Sequence, residues 1–192
     1  MNEKIKSPGR WLILTAALLV LTLAVAAGIG GTRADPESGA NLQVSLTEST
    51  STGRIIPGFS QKNDPKVTVT SNADCYLFMK IRDGGAGAIK WEIAEGWTAL
   101  TGVSGLAENE SLYYRDVNGE ATEKTFSILK NGSVSYPAEL GTSAQNGELG
   151  FTAYVISKTD HVEAGASSGT GQALSDPTTA WNTILANPSP AP

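Results

Sequence analysis

Apolar and polar residues alternate with a period of two in a series of short runs beyond residue 40. The alternation is clearest over 66–82 (KVTVTSNADCYLFMKIR), where two runs are split by the turn-like Ser71-Asn72-Ala73-Asp74. In the second run Cys75, Leu77, Met79 and Ile81 share one face, and Tyr76, Phe78, Lys80 and Arg82 share the other. Period two puts successive side chains on opposite faces of a strand. Aromatics at one end of the second face and cations at the other predict a surface covered at one end and wet at the other. This run is expected to be the central strand of an all-β domain.

Other runs collect around it. Residues 41–47 (NLQVSLT) point Leu42, Val44 and Leu46 inward. Residues 89–93 set Ile89, Trp91 and Ile93 against Lys90 and Glu92. Further strands are predicted at 97–100, 112–117 (LYYRDV), 124–129 (KTFSIL), 133–136 and 149–158 (LGFTAYVISK). The last is apolar on both faces near its middle, which predicts an interior position in a sheet. Asn118-Gly119 and Asn131-Gly132 read as hairpin turns. Pro57-Gly58 reads as a turn in a loop that Ile55 and Ile56 pin to the core. Residues 83–88 (DGGAGA) lack the spacing and the Lys-Ser/Thr of a phosphate-binding loop and read as a hairpin tip. Asp176-Pro177 has the form of an N-cap followed by a first-turn proline, and predicts a helix with Ala180, Trp181, Ile184 and Leu185 on one side. Roughly eight to ten short strands and one terminal helix predict a two-sheet antiparallel sandwich or jelly roll.

The N-terminus departs from this pattern. Lys4, Lys6 and Arg10 precede 21 residues, 11–31, that carry no charge. A basic segment before an apolar run is an export signal, and Thr32-Arg33-Ala34 supplies small residues for cleavage after Ala34, with earlier cuts at Ala26 or Ala27 as alternatives. Left uncut, about 20 apolar residues suffice to span a bilayer, so a single-pass anchor is the other reading. The positive end stays in the cytoplasm either way, which places the domain outside. The expected organisation is a signal peptide or membrane anchor over 1–34, a linker over 35–40, a β-sandwich domain over 41–187 and a Pro-rich tail over 188–192.

Composition narrows the chemistry. Hydrophobic residues make up 40% of the chain, enough to build a core. The net charge is −5; without 1–34 it is 10 basic minus 18 acidic residues, or −8, which repels phosphate backbones and argues against a nucleic-acid partner. A single cysteine excludes an intramolecular disulfide, and Cys75 on the apolar face reads as a buried thiol. The one histidine, His161, sits in a polar loop beside Asp160, with no Gly-x-Ser-x-Gly elbow in the chain and no second nitrogen or sulfur ligand nearby for zinc. Asp116, Asn118 and Glu120 lack the further acids of an EF-hand loop, and the pairs Glu92/Glu95 and Glu108/Glu110 have no fixed separation. No catalytic, cofactor-binding or metal-ligating residue is therefore nominated, and the protein is expected not to be an enzyme. Aromatics are the better lead for binding. Core packing is expected for Trp91 and for Trp97, while Trp97 and Tyr114 are the candidate contacts for a glycan or protein ligand.

Several of these stretches together carry a resemblance. The apolar signal ending in GIGGTRA, a strand near the mature N-terminus, IIPG before DPKVTVT, CYLFMKI, WEIAEGWTAL, SLYYRDV, and FTAYVIS followed by DPTTAWNTI span roughly residues 20–187. In order and spacing the chain resembles the TasA/camelysin-like proteins of Firmicutes, Gram-positive surface proteins with a SipW-dependent type of signal peptide. The resemblance implies a jelly-roll-like sandwich, a secreted or cell-envelope location and a role at the cell surface or in a biofilm matrix. In TasA-like members an N-terminal strand passes between subunits to build fibres, which makes Leu42, Val44 and Leu46 the strand-donor candidates and self-association the expected partnership, besides other surface proteins or glycans. Camelysin relatives carry a metallopeptidase label; with no zinc motif here, it does not transfer. Arg33, just before the cut, departs from the usual signal.

Overall fold

The strongest alternating run becomes the middle of the largest sheet. The computed structural model describes residues 32–34, 42–47, 51–85, 87–120, 122–138, 147–158 and 173–186. Its elements are β1 (Thr32–Ala34), β2 (Leu42–Thr47), β3 (Ser60–Lys62), β4 (Lys66–Ser71), β5 (Cys75–Asp83), β6 (Lys90–Ile93), β7 (Thr98–Ala99), β8 (Glu110–Val117), β9 (Glu123–Ser127), β10 (Leu129–Ser135), β11 (Leu149–Ser157) and α1 (Pro177–Ala186). A five-stranded sheet runs in the order β1-β11-β5-β8-β7, and two three-stranded sheets run β3-β10-β6 and β2-β4-β9. The described chain is mostly strand in antiparallel sheets with one short C-terminal helix; β1 alone pairs in parallel, with β11. The apolar run at 11–31, the loop holding His161 and the tail at 188–192 lie outside the described residues.

β5 pairs with β11 from Cys75↔Ser157 to Asp83↔Leu149, and with β8 from Cys75↔Val117 to Arg82↔Glu110. Its face of Cys75, Leu77, Met79 and Ile81 joins Val67 and Val69 of β4, Leu129 and Val134 of β10, and Phe151 and Val155 of β11 in one core. All three sheets share that core, in a sandwich-like arrangement. On the opposite face Tyr76 and Phe78 lie with Leu112 and Ile156 under Ala180, Trp181 and Ile184 of α1. Beyond the helix the same face turns wet: Lys80 pairs with Glu110 at 3.1 Å and Arg82 is exposed. A strand buried on both faces loses its polar alternation, which is why 75–79 reads as a continuous apolar run.

The helix begins as its sequence predicts. The Thr179 amide donates to Asp176 Oδ1 at 2.9 Å, and Pro177 is the first helical residue. Trp181 is buried and its Nε1 donates to the Ser104 carbonyl at 3.0 Å, tying the helix to the loop that leads into β8. Leu185, expected on the buried side, is exposed; five residues on from Ala180 it has turned roughly 140° around the helix.

Both Asn-Gly pairs differ from expectation. β8 pairs with β5 and β7 while β9 pairs with β4, so Asn118-Gly119 joins two sheets and closes no hairpin. Neither residue has the positive φ of a type I′ turn. Gly119 instead packs against the Ala73 backbone, where any Cβ would collide, and its amide donates to Asp74 Oδ1 at 2.9 Å. Asn131 and Gly132 do both have φ of 56°, yet they sit inside β10, where the register against β6 shifts between Leu129 and Val134. Their left-handed conformation makes a bulge in place of a reversal. The stretch 83–88 is likewise no hairpin tip, because β5 and β6 belong to different sheets. Ile55 is buried and pinned by its amide to the Gly147 carbonyl at 2.7 Å, but Ile56 is exposed, and 60–62, read as loop, forms β3.

Candidate functional site

Six strands end the three sheets: β1, β7, β3, β6, β2 and β9. An open edge offers unpaired amides and carbonyls to another chain unless it is short or carries charge or proline. β7 has two residues; β1 and β3 have three each. β6 carries Lys90 and Glu92, the latter paired with Lys130 at 2.5 Å. β9 carries Glu123 and Lys124, and Lys124 pairs with Glu120 at 3.2 Å. β2 (LQVSLT) is six residues long with neither charge nor proline.

The strand-donor candidates lie on this edge. β2 pairs with β4 over its full length, from Leu42↔Ser71 to Thr47↔Lys66. Leu42 enters the shared core, Val44 and Leu46 pack half-buried against it, and Gln43 and Ser45 face solvent. β2 also lies close to β1 and β11, along one side of the domain. Ala34, the nominated cleavage residue, is the last residue of β1 and stands opposite Val155. A cut there takes β1 away and leaves 153–155 of β11 with β5 as ladder partner.

The two nominated ligand contacts do not converge. Trp97 is 8% exposed, and its Nε1 donates to the Ser127 carbonyl at 2.9 Å. It belongs to the core between the sheets, whereas half-buried Tyr114 packs with the cluster under α1, edge-on to Tyr76 at 6.2 Å. They stand on opposite faces of the five-stranded sheet, so no groove is lined by both. Trp91 is half-buried and edge-on to Tyr113 at 6.0 Å, and Trp181 is the helix latch.

Titratable groups are bound in pairs that hold the fold. Burial pushes the Cys75 thiol up to about 11, against the lowering effect of the Ser71 hydroxyl. Glu110 is drawn up by burial, but the Ala107 amide and Lys80 outweigh it and leave its carboxyl below the usual range. Burial alone would lower Lys158; its pairing with Asp116 wins and raises it, while its ammonium lies 4.4 Å from the Tyr76 ring centroid. Asp116 and Glu120 thus answer to two different lysines and share no cation-binding geometry with Asn118. No group of three metal-ligating side chains occurs among the described residues, and no helix among them is long and apolar enough to cross a membrane.

Arg115 is a structural residue that the sequence reading passed over. Its guanidinium lies 4.4 Å from the Phe126 ring and 5.4 Å from Trp97, and donates to the carbonyls of Gly96 (3.0 Å) and Glu95. Burial lowers its pKa, and nearby Glu95 opposes that. The signal was legible in LYYRDV: parity puts Arg115 on the core side with Tyr113 and Val117. No family model matches the chain, and no curated protein or solved structure matches it either.

Proposed function

We propose that this chain is an exported, non-enzymatic cell-surface or extracellular-matrix protein, a jelly-roll-like sandwich that self-associates by β-strand addition. One observation carries the reading: β2 is a six-residue edge without charge or proline, while the other five edges are short or charged, and cleavage after Ala34 would add β11, nine residues without charge or proline, as a second such edge. Its outward amides and carbonyls pair with a strand of a second copy, or β2 itself changes copies and covers the neighbour's β4. Leu42, Val44 and Leu46 fix the register, because a slip of one residue turns all three out of the core. The 1–34 segment directs export, with cleavage after Ala34 releasing the domain or the apolar run retaining it at the membrane.

The test is to put lysines on the outward positions, Gln43→Lys with Ser45→Lys. Both side chains are exposed, so the fold tolerates the change while the edge becomes charged. Light scattering after size exclusion of the exported protein is expected to show oligomers for the natural chain and monomer for the variant, with the same thermal midpoint. A natural chain that stays monomeric at every concentration, or a variant that assembles equally well, overturns the proposal.

A further inference from the structure

The outer side of β11 is covered piece by piece. At its start Thr52 N donates to Leu149 O at 2.9 Å, Leu149 N donates to Thr52 Oγ1 at 2.9 Å, and Ser51 bridges Gly150. Just past its end Leu174 N donates to Lys158 O at 3.0 Å. Between these two brackets the cover is β1, paired with Ala153–Val155. β1 is the one strand among the described residues that pairs in parallel, and all of it belongs to the 1–34 segment that cleavage after Ala34 removes.

Cleavage therefore opens a slot along 151–157, about 23 Å at a strand's rise. Alternate residues of an antiparallel edge turn both their amide and their carbonyl outward. Leu149 turns both toward Thr52, so Phe151, Ala153, Val155 and Ser157 turn theirs into the slot. The side chains of these four residues are buried, and no charge or proline in 149–157 screens the edge.

Resting on the strand-addition reading, we infer that the β11 edge freed by cleavage takes β2 of a second copy, and that β1 holds this edge shut in the uncut chain. The occupant follows from the strands themselves. Without β1, the edges longer than three residues that carry neither charge nor proline are β2 and β11. The six residues of β2 extend about 20 Å and fit between the two brackets. β2 and β11 also lie side by side, on one side of the domain. A two-fold axis along the strands brings β2 of each copy against β11 of the other. Both edges are then satisfied at once, so the contact is isologous and closes as a dimer.

The test compares one exported chain before and after the cut. Ala34→Leu removes the small residue that cleavage requires and keeps β1 attached; a site for an added sequence-specific protease, placed within 35–40, then releases β1 on demand. Light scattering after size exclusion, in the same mild detergent throughout, is expected to show monomer before the cut and dimer after it. Thr152→Glu puts an acid on the β11 edge, where Thr152 is half-buried and stands opposite Lys80. In the cut chain it is expected to raise the dimer dissociation constant about tenfold or more with the same thermal midpoint, and Gln43→Lys with Ser45→Lys is expected to do the same from the partner strand. Equal assembly before and after the cut overturns β1 as the cover. Assembly of Thr152→Glu like that of its parent overturns β11 as the acceptor and leaves strand addition at β2 standing. Loss of assembly in Thr152→Glu but not in the β2 lysine variant overturns β2 as the occupant, and species larger than a dimer overturn reciprocal closure. A cut chain that stays monomeric at every concentration overturns strand addition itself, and this inference with it.

Discussion

Replacing Trp181 by alanine tests what keeps the second face of β5 and β11 out of water. Trp181 is 1% exposed and packs at 5.6 Å from Phe78 and 5.3 Å from Tyr154, ring to ring. Its Nε1 also satisfies the Ser104 carbonyl at 3.0 Å. Truncating a buried Trp to Ala costs about 3–5 kcal/mol, a figure that already contains the two ring contacts. Against a domain stability of roughly 5–15 kcal/mol this is a large fraction. Trp181→Phe keeps much of the ring packing and gives up the hydrogen bond, worth about 0.5–1.5 kcal/mol. Ala180 and Ile184 are the other buried anchors of α1, so the alanine variant is expected to release the helix before the sheets unfold. Urea unfolding measures the total cost, and amide exchange over 177–186 measures the local release. A cost under about 1 kcal/mol, with helix amides still protected, would refute the latch. The result bears on function too: a released helix uncovers Tyr76, Phe78 and Ile156, and association through that face would be mistaken for edge pairing.

Two further outcomes follow from the titratable groups. Cys75, fully buried with its pKa pushed up to about 11, is expected to ignore thiol reagents at mildly alkaline pH in the folded protein and to react once in denaturant; rapid labelling of the native chain contradicts the core assignment. Glu110 has a folded-state pKa below its ordinary value, so its contribution is fully present above the unfolded value of about 4.3 and is lost as pH falls through the folded one. Glu110→Gln is expected to shrink the loss of stability on acidification to about pH 3, measured as denaturation midpoints against pH; an unchanged slope removes Glu110 from the acid response.

The candidate site was legible in part. NLQVSLT announced a half-buried strand, and the structure puts Leu42, Val44 and Leu46 on the predicted side. That β2 is an edge, and with β1 in place the least protected one, needed the order of the sheets, which no local pattern contains. Trp97 shows the reverse case: its residue type allows a ligand contact or a core position, and only the Ser127 carbonyl and the Arg115 guanidinium around it decide for the core.

Sequence by itself determined most of the elements and their faces, though not β1 or β3. Period two assigned the two faces of β5, including the change from covered to wet at Lys80, and Asp176-Pro177 marked the start of α1. These are local properties, set by backbone geometry and by side chains a few residues apart. Tertiary structure alone decided which strands are neighbours. Asn118-Gly119 and Asn131-Gly132 look alike in sequence, yet one packs against Ala73 at a crossing between sheets and the other forms a bulge in β10. β5 takes as lateral partners strands that begin at residues 110 and 149, far along the chain, while its two faces are covered by the other sheets and by α1. Strand pairing is settled by the shared core, and a dipeptide that permits a turn does not compel one.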